Sequence, residues 1–155
     1  MRTLRAARPD ETDVLRDLAM RSKAHWSYDS AFMAACIAPF TLTADDLDNG
    51  EFAVVDGAEG PIAFAQLRVA GDTAHLNKAF VDPDAMGQGL GRVLMNWAVS
   101  RAHAAGASCI MIETDPHAEA FYQKMGARTV GGVASEAIPG RILPLMRLDL
   151  NPSAL

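Results

Sequence analysis

The stretch VDPDAMGQGLGRVLMNWAVSRAHAAGA, residues 81–107, sets Gly87, Gly89 and Gly91 within five residues, then runs fourteen residues without glycine or proline. The second part predicts a long amphipathic helix over about Leu90–Ala105, ended by Gly106. The first part follows an apolar run that closes at Val81, so the order is strand, glycine turn, helix. That order concentrates free amides. The first four N–H groups of a helix lack internal partners, and the helix dipole adds partial positive charge there. Glycine lets an anion approach with no Cβ in the way. A plain turn uses glycines too, so both uses of the loop are open on this stretch alone.

The flanking chain predicts one α+β domain over residues 1–155. TLRAAR reads as a first strand, and Pro9-Asp10 open a helix with Asp10 as N-cap and Val14, Leu15, Leu18 and Ala19 on one face. AFMAACI predicts a second short helix ended by Pro39, and Thr43 caps a helical turn at ADDL. EFAVVD, PIAFAQLRVA and TAHLNKAFV follow as consecutive strands separated by glycine turns. After the long helix come a strand at CIMIET, a short helix at AEAFYQKM, and strands at ARTVGGVA and ILPLMRLDL. A strand–helix–strand order in the middle requires one parallel pair among antiparallel neighbours.

Charge and cysteine content narrow the function classes. A net charge of −5 with a pI near 5.2 argues against a nucleic-acid surface and suits small or cationic partners. Cys36 and Cys109 have neither metal-ligand spacing nor a disulfide framework, so no metal is expected. No apolar run approaches the roughly 18 residues of a membrane span, and the opening MRTLRAARPDET lacks an apolar signal region. The expectation is a cytoplasmic protein without membrane or nucleic-acid partners; monomer and homodimer both stay open.

Three phosphate-binding loops compete for residues 86–92. A nucleotide P-loop needs Lys-Ser/Thr after its last glycine, and Arg92-Val93 stands there. A dinucleotide fingerprint needs glycine at 92, although Glu113 lies near the distance of its ribose-binding acid. Such a unit begins its domain, whereas some 80 residues precede this one. VDPDAMGQGLGRVLM followed by DPHAEAFYQKMGA resembles the GNAT superfamily of N-acetyltransferases over roughly residues 74–130. Gly89 and Gly91 match that family's Q/R-x-x-G-x-G/A loop, with Met86 in place of Gln or Arg. Ala118, Phe121, Tyr122 and Gly126 match its second motif, with Asp115 for the usual Asn and Ala127 for the usual Phe.

The resemblance implies the acyl-CoA N-acyltransferase fold: a central mixed, mostly antiparallel sheet of about seven strands flanked by about four helices. It implies acetyl transfer from acetyl-coenzyme A to a primary amine, small-molecule or peptide, by direct attack in a ternary complex. A non-catalytic acyl-coenzyme A-binding module and an NAD-binding oxidoreductase are the rivals. The amides of Gly87, Gln88, Gly89, Leu90, Gly91 and Arg92 would hold the coenzyme pyrophosphate, with Asp115, Ala118 and Tyr122 alongside. Ala79, Phe80 and Val81 would present a splayed strand edge to pantetheine, with a main-chain N–H near Ala79 polarising the acetyl carbonyl.

Transfer to an amine also needs proton handling. Tyr122 is the candidate donor to the departing thiolate, and core packing is its plain alternative. For the base, His75 stands where some family members carry glutamate, and imidazole suits neutral pH; Glu113 is the second candidate. The family builds its acceptor pocket from the first two helices and the loop between the last strands. Here those are SKAHWSYDS, with His25, Trp26 and Tyr28, and SEAIPGRILP, with Glu136 suited to a cationic amine and Arg141 to a carboxylate.

Overall fold

The computed structural model describes residues 3–150. Among them the strands are β1 Glu51–Gly57, β2 Gly60–Ala70, β3 Thr73–Val81, β4 Cys109–Glu113, β5 Arg128–Ala134 and β6 Ile142–Asp149. These six form one sheet in the order β1-β2-β3-β4-β6-β5, in which β3 and β4 run parallel and the other neighbours antiparallel. The helices are α1 Thr12–Ala24, α2 Ser30–Phe40, α3 Ala44–Asn49, α4 Leu90–Ala104 and α5 Glu119–Lys124. Short 3₁₀ turns at Pro9–Glu11, Pro83–Ala85 and Pro116–Ala118 join them.

The α+β class, the mixed sheet and the parallel pair agree with the sequence; the first strand does not. Residues 3–8 contribute a single bridge, Arg5 to Val54, so the sheet has six strands rather than about seven, and five helices rather than about four. Asp10 does not cap α1. A 3₁₀ turn intervenes, and the Glu11 carboxylate accepts from the Arg8 amide at 2.8 Å. Pro39 sits within the last turn of α2, which ends one residue later at Phe40. Thr43 does cap α3, accepting from the Asp46 amide at 3.2 Å.

Two apolar layers sandwich the sheet. Leu90, Leu94, Met95 and Ala98 of α4, with Tyr122 of α5, pack on one face against Ala65, Leu67, Leu76, Ile110 and Met146. Leu15, Leu18 and Ala19 of α1 cover the other face with Phe52, Val54 and Phe64. Each fully buried side chain of this size contributes roughly 1.5–3 kcal/mol.

One irregularity shapes the middle of the sheet. Against β2, Gln66 pairs with Lys78 but Leu67 pairs with Leu76, leaving Asn77 as an extra residue in β3. Side-chain parity therefore reverses. Ala74 and Leu76 enter the α4 layer before the bulge, while Ala79 and Val81 pack against that layer after it and Phe80 turns to the α1 layer. The β3–β4 ladder stops at the same place, with Leu76 opposite Ile112. From there β3 runs on to Val81 without β4 beside it.

Candidate active site

The gap where β3 and β4 part opens into a cavity of about 890 Å³, lined by residues from the glycine loop, β3, α1, α5 and the β5–β6 connection. Gly87 and Gly89 take φ values of +86° and +76°, and Gly89 is the N-cap of the fifteen-residue α4. A Cβ at either position would meet nothing within 4 Å. The loop is thus a bare main-chain cradle at a helix N-terminus with no acidic residue in its first turn. Gly91 differs: a Cβ there would come within 3.1 Å of the Phe121 ring, so this glycine lets α4 start against α5.

Most of the sequence-predicted coenzyme residues border this cavity: Ala79, Phe80, Val81, Gly87, Gly89, Leu90, Gly91, Arg92, Asp115, Ala118 and Tyr122. Gln88 lies in the exposed loop and is not among the lining residues. Tyr122 is 7% exposed, and burial pushes its phenol up to about 12. The hydroxyl therefore stays protonated at neutral pH and can donate.

The two candidate bases separate. Glu113 ends β4 and lines the cavity. His75 does not: it sits on the still-paired part of β3, opposite Arg68 and Met111, exposed and outside the lining. His75 shares a face of the sheet with its cross-strand partner Arg68, which does line the cavity, but it stands before the Asn77 bulge, at the end of β3 away from the gap.

The two segments expected to form the acceptor wall do meet, around an unexpected centre. Asp115 Oδ2 receives the Lys23 ammonium and the Tyr28 hydroxyl (2.8 Å), with Arg141 Nη2 at 3.6 Å. Its Oδ1 accepts from the His117 amide at 2.9 Å and lies 2.7 Å from His117 Nδ1. Burial opposes ionisation of Asp115, but Lys23, the His117 amide and Tyr28 outweigh it and hold the carboxyl well below the usual range. So the Asp115 side chain is engaged with Lys23, Tyr28 and His117 rather than turned to the glycine loop. Burial and the neighbouring Asp115 carboxylate together push Tyr28 up to about 12.

Stacked rings brace this group. Tyr28 lies on Phe32 at 3.9 Å, Trp26 lies on His117 at 4.5 Å, and Arg141 sits over Phe32 at 4.8 Å. Trp26, Glu136 and Arg141 line the cavity; His25 does not, being exposed with its ring edge-on to Trp26. Sequence reasoning missed Lys23, Phe32, His117 and Lys78. Lys78 follows the bulge on β3 and lines the cavity, where burial draws its ammonium below the ordinary lysine range against the pull of Asp46 and Glu136.

Comparison with known proteins bears on the fold and the family. The chain is 34% identical over 96 residues to the peptidyl-lysine N-acetyltransferase YjaB of Salmonella typhimurium, covering 62% of this chain and 61% of that one. The match thus spans about three-fifths of that relative's length. The coenzyme A complex of PaiA N-acetyltransferase from Thermoplasma acidophilum superposes with a TM-score of 0.80 at 14% identity, covering 96% of this chain and 99% of that one. A GCN5-related N-acetyltransferase from Rhodopseudomonas palustris gives 0.79 at 21% identity, with coverage of 97% and 96%. At such identities the structures speak for the fold. The model of the acetyltransferase (GNAT) family matches residues 13–127, most of the described fold and every element of the cradle, and the chain belongs to that family.

Proposed function

We propose that the protein is an acetyl-coenzyme A-dependent N-acetyltransferase that acetylates a primary amine by direct attack in a ternary complex. The observation that carries this is the meeting of three features in one cavity: a bare glycine cradle, an unpaired β3 edge and a protonated Tyr122. The relative named as a peptidyl-lysine N-acetyltransferase supports an amine acceptor. Membership of the family removes the NAD-binding alternative. Tyr122 and Glu113 in the cavity favour an enzyme over a passive acyl-coenzyme A carrier.

Each residue has a definite task. The amides of residues 87–92 hold pyrophosphate, and Ala79, Phe80 and Val81 bind pantetheine through their free main-chain edge. The coenzyme, when bound, supplies the activated thioester. An N–H near Ala79 polarises the acetyl carbonyl. Glu113 accepts a proton from the acceptor amine, directly or through water. Tyr122 donates a hydrogen bond to the departing sulfur. Full proton transfer from a phenol near 12 to a thiolate whose conjugate acid titrates near 8.5 is uphill by about 5 kcal/mol, so the hydrogen bond does the stabilising. The two free, buried thiols, Cys36 and Cys109, suit a reducing cytoplasm.

The test is a melt with acetyl-coenzyme A, coenzyme A and NAD, followed by thiol release against an amine panel. A coenzyme at a hundred times its dissociation constant adds about 2.7 kcal/mol of stability. Stabilisation by NAD and by neither coenzyme would overturn the proposal, and stabilisation without thiol release would favour the carrier.

A further inference from the structure

We infer that the acceptor carries a carboxylate as well as its amine, and that Arg141, with Lys23 in support, holds that carboxylate. The inference rests on the acetyltransferase reading and names the acceptor class for the same cavity. Asp115 is saturated, with donors on both oxygens, so it has no capacity left for a substrate amine. It serves instead as a positioning residue for two cations. Lys23 and Arg141 bring two positive charges against its one, and the side chains keep only 11%, 20% and 15% exposure. The cluster therefore carries one positive charge in excess in a recess that limits solvation.

Arg141 is held at one corner of its guanidinium. Its contacts with Tyr28 (3.0 Å) and Asp115 (3.6 Å) are both made through Nη2. Among the described residues no hydrogen-bond partner meets Nε or Nη1, and the guanidinium borders the cavity. The plane lies over Phe32 and Tyr28, at 4.8 and 5.3 Å, so the ring stack fixes it before a ligand arrives. Nη2 belongs to both bidentate edges of the guanidinium and is already engaged, so a carboxylate would be met by the fixed charge and by single charge-assisted hydrogen bonds from Nη1 or Nε. Glu113 and Glu136 line the same cavity and supply the complement to the amine. The acceptor thus has amino-acid-like polarity, whether as a free amino acid or as a peptide lysine beside an acidic group.

Two arms of one titration distinguish those sources. In the first, calorimetry with the protein, alone and saturated with coenzyme A, compares amino carboxylates from glycine to 6-aminohexanoate with their amides. The second compares end-capped lysine peptides bearing Glu or Gln beside the lysine. The expected result is a preference of about 10- to 100-fold for the carboxylate in at least one arm, the range for hydrogen bonds to charged groups. Arg141→Gln should abolish that preference while coenzyme affinity holds, and Arg141→Lys, which keeps the charge and loses the Nη1 and Nε donors, should retain part of it. Equal binding of every acid and its amide would overturn the inference, as would a preference that survives Arg141→Gln. If that variant does not fold, an undiminished preference in Arg141→Lys overturns it equally. Failure of coenzyme A to bind would sink the acetyltransferase reading instead, and the coenzyme-free titrations still decide this one.

Discussion

The two ends of the cavity are made of different material. At the glycine end, main chain does the work: Gly87 and Gly89 in left-handed conformation, the first turn of α4, and the β3 edge beyond Leu76. At the other end, side chains do it: Lys23, Tyr28, Asp115, His117 and Arg141 come from three separated segments and hold one another in place. The first end needs few particular side chains beyond glycine. The second needs each of its side chains, and a change in one leaves others unpaired.

Between the two ends sit the groups assigned to chemistry, and there the largest effects are expected. Tyr122→Phe keeps the packed ring and removes only the hydroxyl. Turnover should fall about 10²–10⁴-fold with coenzyme affinity unchanged, as read by single-turnover kinetics and calorimetry. A fall of less than threefold would make Tyr122 a core residue with no part in stabilising the departing sulfur. Glu113→Gln should cost about 10²-fold in kcat/KM, and His75→Gln less than twofold. The reverse ranking would restore His75 as the base.

Asp115→Asn attacks only the side-chain end. Breaking a fully buried ion pair costs about 3–5 kcal/mol, and the remaining exposure here lowers that to about 2–3 kcal/mol of unfolding free energy. Coenzyme A affinity should be spared. The pH dependence has a definite sign. Because the folded-state carboxyl titrates below its unfolded value, its contribution is full above about pH 5 and shrinks as pH falls below about 4. The stability gap between wild type and variant should narrow over that range in denaturant titrations. A gap constant down to pH 2 would mean that Asp115 is not the hub of this end.

Gly89→Ala attacks only the main-chain end. At φ +76° an alanine costs about 1–2 kcal/mol of backbone strain, lowering Tm by about 3–6 °C for a chain of this size. Coenzyme affinity should drop while acceptor preference stays. Unchanged coenzyme affinity would reduce the loop to a turn.

The same division explains what the sequence reveals. Of the residues expected on β3 and in the glycine loop, all but Gln88 border the cavity, because that segment is continuous in the chain and glycine spacing writes it locally; Asp115, expected beside them, is engaged with Lys23, Tyr28 and His117 instead. Thr73–Val81 and the start of α4 at Leu90 are likewise legible from apolar runs and glycines. The Asn77 bulge is not, since a period-two pattern over nine residues tolerates one slip without losing its apolar character, and nothing local marks that the cavity begins only beyond His75. The acceptor cluster is less legible still. SKAHWSYDS and SEAIPGRILP can be picked out as walls, but the 92-residue separation of Lys23 and Asp115 leaves no local mark. Asp115 reads as a helix cap, which it also is, accepting from the His117 amide.

The contact between Gly91 and Phe121 works as a gauge. Gly91 lies in the first turn that closes the cradle, and Phe121 immediately precedes Tyr122 on α5. With 3.1 Å between the ring and the place where a Cβ would stand, the two helices meet with no slack to redistribute. The interval from the amides proposed to hold pyrophosphate to the Tyr122 phenol is thereby set by a glycine and a benzene ring. A methyl group at position 91 would reset that interval by a few tenths of an ångström, changing the length of coenzyme arm that can bring its sulfur under Tyr122.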